Sequence, residues 1–153
     1  MTDAKGSGDT PSAGTSTSSD AADKAEKVSS ELYDLIGVKG KSSQVGAGVS
    51  GCSGKDREKY FTVFHPWTLT PASPTDLDAV VERLKDELPQ HGWKVVEYGR
   101  DTSKNKNLAL TADNDAKKHS VQITALSTKP AKLEVMVVSG CYQIPDGEEI
   151  ERF

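Results

Sequence analysis

The sequence lacks most of what identifies a chemistry. No apolar run approaches the roughly 20 residues of a membrane-spanning helix. Aromatic residues make up 6% of 153 positions, so a core must rest mainly on aliphatic side chains. Neither sign of charge dominates. Nineteen Lys and Arg against 23 Asp and Glu leave a net charge of −4, without the basic surface that nucleic acid or an anionic membrane demands. No glycine-rich loop follows a strand and opens a helix. Gly46, Gly48 and Gly51 fall in or just after a weak strand, which argues against a phosphate cradle. No serine or cysteine sits in a GxSxG-like elbow.

Metal chemistry is poorly served as well. His65, His91 and His119 are scattered, with no pair at ligand spacing. His65 shares a strand face with Trp67 and is the one candidate general base, although a strand histidine beside aromatics is more often a packed residue. Asp113 and Asp115 in DNDAKK resemble a calcium loop only superficially, because lysines follow where ligands are needed. No catalytic residue, metal or cofactor is expected. Cys52 and Cys141 are far outside the spacing of roughly two to four residues that zinc pairs use. A disulfide is the reading that suits an exported chain, and two buried thiols are the alternative.

The chain is organised around Ser73 to Tyr98. Leu77, Val80, Val81, Leu84 and Leu88 form an apolar stripe at helical spacing. Ser73 is the expected N-cap, with Pro74 at the first position and Asp76 and Asp78 at the positive end of the dipole. Pro89 and Gly92 end the helix and feed a strand through Trp93, Val95 and Val96.

Around it the pattern predicts a disordered Ser/Thr/Gly-rich tether over 1–20, one domain over 21–144 and an acidic tail over 145–153. A first helix runs from Ala21 to Ile36, capped by Asp20 or Asp23 and stopped by Gly37. Gln44 to Cys52 reads as a weak edge strand. Tyr60 to Leu69 alternates, with an end or bulge at Pro66, so that Trp67 to Ala72 leads into the central helix. Leu108 to Ala112, His119 to Leu126 and Lys132 to Gly140 complete a meander. The expected fold is α+β, a mainly antiparallel sheet of five to six strands with two helices packed on one face. Following strand directions puts Cys52 and Cys141 at one end of the sheet, where they meet if their strands are neighbours.

The LP..GWKVV junction at Leu88 to Val96, LALTAD at Leu108 to Asp113 and the end at Cys141 together resemble small secreted lipoproteins of Streptomyces and related actinobacteria. The resemblance covers about Tyr33 to Ile144 and carries no chemistry. It implies export and envelope anchoring, with the polar N-terminus as the spacer after a lipidated cysteine whose place Met1 takes.

The expected function is therefore a non-catalytic extracytoplasmic lipoprotein domain, monomeric, attached outside the membrane only through a removed lipid anchor. It binds a protein, polymer or small ligand of the envelope. The alternative is a secreted enzyme or enzyme inhibitor, and a plain spacer is a third reading. The expected binding surface is the sheet end opposite the disulfide, with Trp67 beside Arg100, Lys104, Lys106 and Lys129. Against it stands the reading in which Trp67 is buried under the central helix and the lysines only solvate loops.

Overall fold

The structure, a computed structural model, describes residues 11–43 and 46–153. Along the chain run β1 (Ser12–Thr15), α1 (Ser18–Ile36), β2 (Gly40–Ser42), β3 (Gly48–Ser50), β4 (Tyr60–Pro71) and α2 (Leu77–Glu87). A short 3-10 turn (Leu88–His91) leads to β5 (Lys94–Arg100), β6 (Leu108–Asn114), β7 (His119–Leu126), β8 (Lys132–Ser139) and β9 (Cys141–Gln143). The strands lie in the order β1-β9-β4-β8-β7-β6-β5, with β2 and β3 also paired to β4.

The class is α+β with two helices. The sheet is larger than the five to six strands expected, and mixed, because β1 runs parallel to β9. The additional strands β1, β2 and β9 are three or four residues long. Segments this short hold by backbone bonds and leave no period-two trace in sequence.

One apolar cluster gathers Val28, Leu32 and Ile36 of α1, Leu77, Val80, Val81 and Leu84 of α2, and alternate residues of β4, β6, β7 and β8. Leu110, Ile123, Leu133 and Val135 are completely or almost completely buried within it. A second cluster joins Ala21 and Ala25 to Phe61, Val63, Tyr142 and Ile144. Both helices end as left-handed glycines allow: Gly37 closes α1, and Gly92 closes the 3-10 turn after α2. Their starts differ from expectation. Thr17 caps α1 by accepting from the Asp20 N–H, and Asp76, not Ser73, caps α2 by accepting from the Ala79 N–H.

Pro66 does not end β4, which continues to Pro71 with Pro66 opposite Met136. The reason lies in the direction its missing N–H would take. Thr68 bonds Ser43, on the β2 side of β4, and alternate residues share a direction, so Pro66 faces that side too. There it falls in the interval between the β3 pairing at Phe64 and the β2 side at Thr68. Among the described residues no ladder bond is lost.

Cys52 and Cys141 form a disulfide, with Cα atoms 6.1 Å apart. Strand directions put them there as expected, since both β3 and β8 run antiparallel to β4.

The chain ends are more engaged than a tether and a solvated tail. Residues 1–10 of the expected tether lie outside the described residues, but Ser12–Thr15 pairs with β9 and Ser18 is buried at the start of α1. The Cys141 N–H donates to Pro11 O, and the Ser16 N–H to Gln143 O. In the expected tail, Ile150 packs against the second cluster and the Glu151 N–H donates to Ser18 Oγ. The two ends thus brace each other. A chain beginning at Ser18 should melt about 5 °C or more below one beginning at Pro11, having lost both β1 and the Thr17 cap. Equal melting temperatures in parallel calorimetric scans would show that β1 adds nothing.

His119, read as incidental, is only 3% exposed. Its Nδ1 faces the Lys117 carbonyl at 2.6 Å, and a carbonyl only accepts, so Nδ1 carries the hydrogen. Nε2 is buried and has no partner among the described residues. Burial, the largest cause, holds the imidazole below its ordinary 6.5; the Lys117 carbonyl opposes this, while Lys24 and Lys117 add to it. The unfolded chain therefore takes up the proton first on acidification. Stability is full above pH about 6.5 and falls as pH drops from there through the lower folded-state value. Urea midpoints measured between pH 8 and pH 5 should decline less steeply for His119→Gln than for the wild type. Parallel declines would contradict this placement.

Candidate functional site

Residues of α1 spaced at three and four turn a polar stripe toward β4, alongside the apolar stripe that enters the core. Glu26, Ser29, Ser30, Tyr33 and Asp34 form one wall of a groove of about 560 Å³. Ser42, Ser43 and Gly46 form the other, and His65 and Trp67 lie between. This volume sits within the range of about 300–1,000 Å³ typical of small-ligand sites. β4 supplies the floor because His65 and Trp67 are two residues apart on one strand and so share a face.

The groups in the groove are already partly fixed. A hydrogen bond of 2.7 Å joins Ser29 Oγ and His65 Nδ1. Glu26 accepts the Ala47 N–H through one carboxylate oxygen at 3.1 Å. Ser43 Oγ accepts from the Thr68 N–H. Tyr33, 37% exposed, sits with its ring centroid 6.2 Å from that of Trp67, tilted by 51°. Trp67 is 5% exposed, and its indole N–H is buried without an acceptor among the described residues. Among the described residues no Lys or Arg lines the groove, and neither Glu26 nor Asp34 forms an ion pair.

The surface expected from sequence is assembled differently. β4, β5 and β7 do end at the same end of the sheet, so the loops after Arg100 and Leu126 are neighbours in the way foreseen. Trp67 is not among them. It lies in the middle of β4, opposite Val135, inside the core cluster. The exposed aromatic expected beside cations is therefore absent, and the cover over Trp67 includes Tyr33 of α1 rather than the central helix alone. Arg100 is also committed, pairing with Asp78 of α2 at 2.9 Å. Lys104, Lys106 and Lys129 remain exposed on their loops. The first of these loops is held by Asp101, whose carboxylate lies below its ordinary value, chiefly through the Ser103 hydroxyl.

The acidic residues Glu58, Asp146, Glu148 and Glu149 line a second cavity of about 520 Å³ near the C-terminus. Among the described residues no group of three or more His, Cys, Asp or Glu is placed to hold a metal ion. No helix among them is long and apolar enough to cross a membrane.

Sequence reasoning missed the α1 wall. Its signal is present as the run of polar residues at 26, 29, 30, 33 and 34, but a solvated helix face has the same pattern. Only the strand beneath turns that face into a groove. No family model, curated protein or solved structure matches the chain.

Proposed function

We propose that this chain is a non-catalytic binding domain that works outside the cytoplasm, held to the outer face of the membrane by an N-terminal lipid or released into the medium. It takes a ligand of the envelope in the groove between α1 and β4. The observation that carries the binding reading is the groove: a polar helix face over His65 and Trp67, with two carboxylates that form no ion pair among the described residues. Buried aromatic area with a few convergent polar groups is the usual make-up of a small-ligand site. Export is supported by the Cys52–Cys141 disulfide, since such bonds persist in oxidising compartments. The elements resembling actinobacterial lipoproteins, from Leu88 to Val96 and from Leu108 to Asp113, point the same way.

One observation favours the enzyme reading. Ser29 Oγ lies within hydrogen-bond reach of His65, as a nucleophile and its base must. It carries less weight because Ser29 is 5% exposed within a helix, where its oxygen is shut away from a substrate.

Ligand-observed NMR on a small-molecule extract of the envelope tests both readings. Compounds that bind the wild type should be chemically unchanged after long incubation and should lose their signal with the Tyr33→Ala/Asp34→Ala variant. Equal binding by that variant would move the site elsewhere. A compound consumed by the wild type and spared by His65→Ala would make the protein an enzyme.

A further inference from the structure

We infer that a separate cavity, between α1 and the turn joining β6 to β7, takes a short extended peptide segment with an aliphatic side chain. The cavity measures about 430 Å³, and its walls come from α1, from residues 91–93 and from residues 114–117. Val28, Leu32 and Leu35 recur at four and three on one face of α1 and, with Trp93, make an apolar floor. One polar group is built into it. Asn114 is 3% exposed, and the orientation of its amide follows from chemistry: the Lys117 N–H donates to it at 3.1 Å, so the atom there is the oxygen. Its two N–H bonds therefore point away from that turn. Nδ2 lies beside Gly92, 3.6 Å from where a Cβ would stand, and so between His91 and Trp93, which both line the cavity. It has no acceptor among the described residues. The side-chain atoms sealed away without a partner among those residues are Trp67 Nε1 and His119 Nε2; Asn114 Nδ2 is not one of them and opens on the cavity.

Three requirements select the ligand. Asn114 needs an acceptor, and the floor needs hydrocarbon. Asp34, on the rim and without an ion pair among the described residues, needs a donor. A peptide unit carries a carbonyl, an N–H and a side chain on one frame, and so meets all three. A fatty acid brings a chain and an acceptor but no donor, and its charge meets Asp34 and Glu31 while Lys117 is already committed to Glu31 at 2.7 Å. An alkylamine satisfies Asp34 and leaves Asn114 unmatched. A sugar sets hydroxyls against the apolar floor at a desolvation cost. The volume lies within the range of about 300–1,000 Å³ for small-ligand sites, which suits a short segment and not a folded partner.

The test is a titration of the full chain followed in ¹H–¹⁵N spectra, where the Asn114 side-chain N–H pair reports directly. The probes are N-acetyl-leucinamide, N-acetylglycinamide, octanoate and hexylamine. N-acetyl-leucinamide should shift the Asn114 pair and the backbone amides from Val28 to Leu35, and N-acetylglycinamide, which lacks the aliphatic side chain, should bind at least tenfold more weakly, the loss of about two buried carbon–carbon contacts' worth of apolar area or more. Asn114→Asp keeps an oxygen toward Lys117 and removes the donor, and should weaken N-acetyl-leucinamide by about tenfold. Asp34→Ala, at an exposed position, serves if circular dichroism shows that Asn114→Asp disturbs the fold, and should weaken it by about fivefold. Shifts with octanoate or hexylamine but not with N-acetyl-leucinamide would overturn the peptide class. Silence from all four probes, or equal affinity in the wild type and the folded variants, would overturn the site. None of these results bears on the groove, whose Tyr33 does not line this cavity.

Discussion

Replacing Cys52 and Cys141 together by alanine should lower the unfolding free energy by about 4.6 kcal/mol in urea titrations under non-reducing conditions. The figure is the chain-entropy cost of leaving open the loop that the bond closes, whose sequence separation is 89. Alanine is chosen because both positions are buried, at 7% and 4% exposure, so serine would add an unpaired hydroxyl to the effect being measured. The loss is a large part of the total stability of about 5–15 kcal/mol usual for a domain. A loss below about 1 kcal/mol, with the bond verified by intact mass in the wild type, would show that other contacts already restrain the unfolded chain.

The second large effect belongs to Phe61. It is fully buried, stacks on Tyr142 with centroids 5.4 Å apart, and touches the cluster that joins Ala21 and Ala25 to Ile144. Phe61→Ala should cost about 3–5 kcal/mol, combining lost transfer energy with a cavity that the surrounding strands only partly fill. The loss should be local in its first consequence. β9 pairs with β4 at Phe61, β1 leans on β9, and Ile150 packs nearby, so protease cleavage near both chain ends should rise before the β5–β8 sheet opens. Because Phe61 is paired with Tyr142, the neighbour of Cys141, its cost should not add simply to that of the disulfide. By contrast Val96, 46% exposed, should tolerate alanine within about 0.5 kcal/mol. Equal costs at the two positions would mean that the second cluster is not a packed core.

How far the sequence reveals this fold depends on how strongly each segment is patterned. β6 and β8 alternate buried and open positions over seven or eight residues, and β7 does so except at Thr124, which is buried between Ile123 and Ala125. α2 shows its stripe plainly. Its cap does not, because Ser73 and Asp76 are both good caps and only the bond to Ala79 separates them. β1 is invisible because Ser12–Thr15 has no apolar period and is held by backbone bonds to a strand far away in sequence. Trp67 lies away from the expected loop surface for one local reason: Pro66 reads as a strand end, whereas β4 runs on through it between its pairings with β3 and β2. The shared face of His65 and Trp67 was legible. That α1 would lie over it with Tyr33 and Asp34 was not, since helix-to-strand packing leaves no mark at that range.

The central claim is that binding belongs to the α1–β4 groove and not to the lysine-bearing loops at the sheet end. Thermal unfolding with a compound purified from the envelope extract as the ligand tests it most directly, using the wild type, Tyr33→Ala/Asp34→Ala, and Lys104→Ser/Lys106→Ser/Lys129→Ser. At about 100-fold excess over the dissociation constant a bound ligand contributes about 2.7 kcal/mol, or roughly 5–10 °C in a domain of this size. The account predicts that rise for the wild type and the lysine variant, and none for the groove variant. A lysine variant that loses the rise while the groove variant keeps it would contradict the account.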